Sequence, residues 1–306
     1  MKKWMFFVAV LLISSYGVRA EDKVTVEATS EDISESLDLK AVATLFGQVK
    51  DLKEFEEKLN AEDTHLSNLD LNGDGTVDYL RVVESKDGDN HLVLIQAILA
   101  KDVYQDVASI YVEPTGDNNV SVQVIGDEYI YGTNYVIEPV YIYRPVIYDW
   151  FWGPAWVCYT SPWYWGYWPG WYAPYPCWGY REYWVHINVY HHDHPCCSYR
   201  YARESSRRAN EMRHSSSRND YARTNADRSF ASRTGKTNAR ELSSSRVSRS
   251  SAATTATRSA SATTARGTSA TTATRGAAAT TATRATSAPT ATTRATYGSR
   301  NTATTA

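Results

Sequence analysis

Four runs of β-branched and aliphatic residues, 77–83, 92–99, 107–112 and 120–125, are divided by compact turn clusters, and this pattern constrains the fold more than any other feature of the chain. Lys86-Asp87-Gly88-Asp89-Asn90 and Thr115-Gly116-Asp117-Asn118-Asn119 concentrate the residue types that tolerate tight turns. Ile110 and Val112, then Val120, Val122 and Val124, fall on one face of their strands. The runs predict a four-stranded antiparallel meander. Upstream, Leu39, Val42, Phe46, Val49, Leu52, Phe55 and Leu59 recur at intervals of three or four, which is the stripe of an amphipathic helix. Asp51 with Glu54 three positions later reads as a capping box, so the stretch is expected to be two helices that break near Lys50. The expected fold class is α+β: over residues 21–128, two N-terminal helices packed on a small antiparallel sheet.

Past Glu128 the composition changes. Nine of the ten tryptophans lie between Trp150 and Trp184, and no charged residue occurs from 150 to 180. Pro154, Pro162, Pro169, Pro174 and Pro176 interrupt this stretch, which argues against a lipid-spanning helix. Residues 129–200 are therefore expected to be an irregular aromatic segment stacked on itself or on the sheet. From 201 to 306 the only large apolar side chains are Met212, Phe230, Leu242, Val247 and three tyrosines, too few to offset the entropy of ordering the backbone. A disordered tail is expected. In it Arg203, Arg208, Arg213, Arg218, Arg223, Arg228 and Arg233 recur every fifth residue, and Thr-Thr-Ala-Thr-Arg recurs ending at Arg258, Arg275 and Arg284.

The net charge of −2 conceals two opposed parts. Residues 1–200 hold 14 Lys and Arg against 29 Asp and Glu, while residues 201–306 hold 18 against 5, so an acidic body at −15 carries a basic tail at +13. Such asymmetry points to an anionic partner for the tail or to association between chains. Residues 1–20 read as a signal peptide: Lys2 and Lys3, an apolar run from 4 to 13, and Val18-Arg19-Ala20 before Glu21. The expected location is the periplasm, the outer-membrane surface or the exterior, with no integral span in the mature chain. Cys158, Cys177, Cys196 and Cys197 would there be free to pair, and four cysteines allow three complete pairings, a bridge from Cys158 to Cys177 being one option.

Two constellations carry chemistry. Counting Asp70 as position 1, oxygen-bearing side chains fall at 1, 3, 5 and 9 (Asp70, Asn72, Asp74, Asp78), with Gly75 at 6 and the Thr76 carbonyl at 7. Alternate residues pointing inward around a glycine turn form an oxygen cage suited to a hard cation, and structural Ca2+ is the expected cofactor. Position 12 is Arg81 where a bidentate glutamate closes an EF-hand, so the loop belongs with the D-x-N-x-D-G-x-x-D type that enters a strand, at affinities of roughly 10⁻⁴ to 10⁻³ M. The second constellation is His186, His191, His192, His194, Cys196 and Cys197, good ligands for zinc, copper or nickel whose spacing fits no standard zinc module. Glu138, Asp149 and Glu182 are carboxylates of glycosidase type, with nothing to fix their separation. No catalytic constellation emerges.

The runs 39–47, 68–82, 96–99 and 102–108, with Tyr131-Gly132 and Glu138-Pro139-Val140-Tyr141, resemble an uncharacterised family of exported bacteroidete proteins that share the D-x-N-x-D-G-x-x-D loop and the Trp/Tyr/Pro segment. The resemblance covers about residues 37 to 195 and implies an envelope location and a calcium-type loop. The functional expectation is a non-enzymatic envelope or surface protein whose aromatic segment docks or contacts glycan and whose tail meets anionic polymers such as lipopolysaccharide or extracellular DNA. Its alternatives are a carbohydrate-binding accessory module or enzyme using Trp163 and Trp171 as sugar platforms, and a transition-metal binder. Sequence-specific recognition of nucleic acid is not expected.

Overall fold

A computed structural model describes residues 32–245, all of which fall within one compact unit. The signal-peptide reading and the Thr-Thr-Ala-Thr-Arg repeats lie outside the described residues.

Helices α1 (Leu39–Phe46) and α2 (Leu52–Leu59) form where the apolar stripe predicts them. The Asp38 carboxylate accepts the Lys40 N–H at 2.9 Å and starts α1. The Asp51 carboxylate accepts the Glu54 N–H at 2.7 Å and starts α2, while Glu54 reaches back to the Lys50 N–H at 2.9 Å. The apolar faces of both helices are buried in the main core.

The meander follows as β1 (Tyr79–Asp87), β2 (Asn90–Ala100), β3 (Val103–Gly116) and β4 (Asn119–Gly126). It does not stop there. Beyond the short helix α3 (Glu128–Tyr131), strand β5 (Val136–Tyr141) pairs with β4, and β6 (Cys197–Tyr201) pairs with β5, giving a six-stranded antiparallel sheet in the order of the chain. The fold is α+β with an antiparallel sheet, and its sheet is larger than the four strands expected. Both added strands come from the stretch expected to be irregular. That stretch also supplies α4 (Ile147–Phe151) and α5 (Tyr180–Asp193), whose Tyr183, Ile187 and Tyr190 are buried beside α1. The longest irregular run of that stretch, 152–179, is tied to the free edge of β1 by Glu84 N–H to Tyr159 O at 2.7 Å and Ser161 N–H to Val82 O at 2.9 Å.

Leu80, Val82, Val93, Ile95, Ile110 and Val124 line the sheet face covered by α1 and α2. Leu92, Leu94, Tyr111, Ile125 and Val136 line the other face, and the chain that covers them is α6 (Arg207–Ser216), through Ala209 and Met212. The expectation of a structureless tail from 201 therefore fails over 202–245. After α6 come α7 (Asp220–Thr224), α8 (Phe230–Thr234) and a last helical stretch over 239–245, with Phe230, Ala239 and Leu242 buried in the main core. Gly132, at φ 77°, is required where this arm crosses α3, because a Cβ there would meet the Thr237 carbonyl oxygen at 2.3 Å.

The arm also answers the charge asymmetry. Arg208 pairs with Asp87, Arg213 lies 3.9 Å from Asp127, and Arg233 grips Asp32 at 3.0 Å. Part of the basic excess thus neutralises the acidic body within one chain.

Candidate functional site: an acidic loop facing an aromatic hairpin

The acidic loop is shaped by its own side chains. Asp70 accepts backbone N–H groups from Gly73 (2.6 Å), Asp74 (3.2 Å) and Gly75 (2.8 Å), Asn72 accepts from Asp74 at 2.9 Å, and Asp74 accepts from Thr76 at 2.8 Å. Gly73 and Gly75 sit at φ 79° and 84°, left-handed conformations that glycine adopts without strain. Asp78 is buried and accepts the Leu71 N–H at 2.7 Å. Burial pushes its carboxyl well above the usual range, the Leu71 bond opposes this, and the nearby charges of Asp70 and Asp74 raise it further.

These donors are hard oxygens of the right kind for calcium, one or more short of the roughly six to eight it takes, and a divalent cation among them would relieve the mutual repulsion of the three carboxylates. Their present arrangement is that of a hydrogen-bonded turn: among the described residues no three His, Cys, Asp or Glu side chains gather as a ligand group. A cation would share the carboxylates of Asp70, Asp74 and Asp78 with the backbone N–H groups they now accept.

What faces the loop was not visible in the sequence. Backbone bonds from Val77 N–H to Tyr175 O (3.0 Å) and from Cys177 N–H to Gly75 O (3.1 Å) dock the aromatic segment along the loop. Two buried glutamates fix the path of that segment. Glu56, on α2, accepts from Tyr79 Oη (2.8 Å), Tyr159 Oη (2.9 Å), Ser161 Oγ (2.6 Å) and the Val82 N–H (3.3 Å). Burial nonetheless keeps its pKa above the usual carboxylate value. Glu84 accepts His91 Nδ1 (2.6 Å), Trp156 Nε1 (3.0 Å) and the Tyr159 N–H (2.8 Å), and the Glu84 and His91 side chains are wholly buried.

Just past these contacts the chain makes a tight hairpin. Tyr164 and Tyr167 exchange backbone bonds at 3.2 and 2.8 Å around Trp165-Gly166, with Gly166 at φ 81°. The hairpin tip presents Trp165, which is 43% exposed. Trp165 lines two cavities. The first, about 340 Å³, is lined by Asn72, Asp74, Thr76 and Asp78 together with Trp165, Trp168 and Tyr172. The second, about 330 Å³, is lined by Arg81, Lys101, Tyr104 and Trp163. Four of the five loop residues singled out by spacing therefore meet an aromatic wall in one cleft. Trp171 is 41% exposed but lies outside that lining.

The histidines and cysteines do not converge. His186 Nε2 bonds the Thr64 carbonyl (2.7 Å), His191 Nε2 the Asp38 carboxylate (2.8 Å), His192 the exposed Asp193 (2.9 Å), and His194 Nδ1 the Tyr190 carbonyl (2.9 Å). Cys196 and Cys197 lie side by side, with Sγ atoms 2.8 Å apart, and bond none of these histidine side chains. A bridge from Cys158 to Cys177 is absent: all four cysteines are free, Cys158 donating to the Glu84 carbonyl and Cys177 to the Asn68 carbonyl. Glu138 on β5, Asp149 on α4 and Glu182 on α5 do not line the cleft; Glu138 accepts from Gln123 at 2.9 Å and faces Arg200 at 3.3 Å.

Comparison with known proteins gives no match, whether to a family model, a curated protein or a solved structure. Among the described residues no helix is long and apolar enough to cross a membrane.

Proposed function

We propose that this protein is a non-enzymatic binding module of the cell envelope or exterior, and that its cleft takes a sugar ring. One observation carries the reading: a single cleft of about 340 Å³ is lined both by Asn72, Asp74, Thr76 and Asp78 and by Trp165, Trp168 and Tyr172. A pyranose has an apolar face that stacks on aromatic rings and a hydroxyl rim that bonds carboxylate and amide oxygens, and this cleft offers one of each. Calcium held by the loop braces the acidic edge and supplies a further point for hydroxyl oxygens. Export through residues 1–20 and kinship with the exported bacteroidete family belong to the same proposal.

The test is a glycan array probed with the mature chain from residue 21, with calcium and with chelator. Specific retention is expected, falling at least tenfold for Trp165→Ala or Trp168→Ala and weakening in chelator. Retention unaffected by either tryptophan removes the cleft from the argument, and no retention on any glycan removes the function.

A further inference from the structure

In a regular strand, side chains adjacent in sequence project to opposite faces of the sheet. Cys196 and Cys197 break that pattern, since their sulfurs lie 2.8 Å apart. The cause is local. The Cys196 N–H donates to the His194 carbonyl at 2.8 Å, closing a three-residue turn around Pro195, so Cys196 stands outside β6, which begins only at Cys197. The surrounding fold holds this turn in place. The Cys196 carbonyl accepts the Ile142 N–H at 2.9 Å, and Cys197 pairs with Tyr141 across the ladder. The Cys197 sulfur lies 3.2 Å from the Tyr199 hydroxyl, which is itself bonded to Thr44 of α1. Both cysteines are half-buried, within reach of a small reagent. A bonded pair needs its sulfurs at about 2.05 Å, so closure asks for a short approach of two atoms already facing each other.

We infer that Cys196 and Cys197 form a reversible vicinal disulfide, a redox-sensitive clasp at the seam between α1 and the β5–β6 edge. The oxidant is a small-molecule disulfide. A thiolate of the pair attacks one sulfur of that disulfide, breaking its S–S bond and releasing one thiol. The neighbouring thiol then attacks the mixed disulfide, forms the bond between Cys196 and Cys197 and releases the second thiol. The two cysteines lose two electrons and two protons, and both end on the released thiols. Cys158 and Cys177 each bond a carbonyl in a different part of the fold and have no thiol beside them, so each can carry a glutathione adduct but neither closes this bond.

The experiment equilibrates the mature chain with glutathione disulfide, alkylates the remaining thiols and digests with trypsin. Residues 182–200 form one tryptic peptide containing both cysteines. That peptide is expected unalkylated and about 2 Da lighter than its reduced form, with Cys158 and Cys177 each alkylated or carrying one glutathione. Alkylation of Cys196 and Cys197 after equilibration overturns the inference, as does a persistent glutathione adduct on the 182–200 peptide of the unmodified sequence. In Cys196→Ser a single glutathione adduct should persist on Cys197, because no neighbouring thiol remains to expel it. Failure to trap that adduct would show that the adjacent sulfur is not the resolving group, and should this variant fold poorly, the mass of the wild-type peptide decides alone.

Discussion

At Asp127 the fold keeps a proton that water would take. The residue is 7% exposed, and burial, reinforced by the charge of Asp106 and opposed by Arg213 and the Tyr129 N–H, lifts its pKa to about 7. A carboxyl that binds its proton more tightly folded than unfolded contributes stability below its unfolded pKa, and that contribution is lost as pH rises through the folded value. Stability should therefore decline between about pH 4 and pH 7. Glu56, Asp78 and Asp106 are raised in the same direction and add to the slope. In Asp127→Asn the decline from pH 5 to pH 8 is expected to be shallower, with a gain on the order of 1–3 kcal/mol at pH 8 by urea unfolding. An unchanged slope would place the proton elsewhere. Asp32 works in the opposite sense: burial would raise its pKa, but the Arg233 guanidinium and Ser34 bonds outweigh it and hold the carboxyl below its usual value. Both side chains of that pair are largely buried, at 15% and 7% exposure, so Arg233→Ala leaves a stranded charge. The expected cost is roughly 3–5 kcal/mol at pH 7, shrinking as acid protonates Asp32.

Among the elements, the arm beyond β6 changes the reading of the chain most. Its few large apolar residues, Met212, Phe230 and Leu242, are all buried, each in a core built by other elements. Composition measures whether a segment can make its own core, and here the segment completes one that already exists, so counting apolar residues was the wrong test. The step of five between arginines scatters charge around a helix, but the arm is a chain of short helices and turns, and several of those arginines reach body carboxylates. The meander and the first two helices were legible because alternation and a 3.6-residue stripe survive in them. Strands β5 and β6 were not, since Pro139 and a high tyrosine content blur the β-branched signal. The acidic loop was legible from spacing alone, whereas its aromatic partner depends on the path of 152–179, which has no period to read. Met212→Ala is expected to cost about 2–4 kcal/mol, read from the denaturation midpoint. A chain ending at residue 201 should aggregate or melt far lower, because Leu92, Leu94, Tyr111, Ile125 and Val136 lose their cover. A cooperative melt at the full-length temperature would contradict the arm's role.

For the whole molecule, the loop and the undescribed basic stretch give separate tests. If calcium braces the loop, millimolar calcium should raise the melting temperature of the mature chain at pH 7 by several degrees over chelator, by linkage of roughly 1–2 kcal/mol. The increment should shrink toward pH 4 as Asp78, whose pKa burial raises, takes a proton; identical melts in calcium and chelator would end the calcium reading. Residues 246–306 hold eight arginines and no Asp or Glu. Binding of the mature chain to lipopolysaccharide or DNA should fall steeply with added salt and be lost in a chain ending at 245, and salt-independent binding would point away from polyanion contact. The arm's place in the chain has a further consequence, for biosynthesis. The sheet's second face is closed by residues from Ala209 onward, so a nascent chain cannot reach its native state until more than two thirds of it has been translated. Until then that face has no cover, a condition that would suit threading through a translocation pore if the proposed export holds.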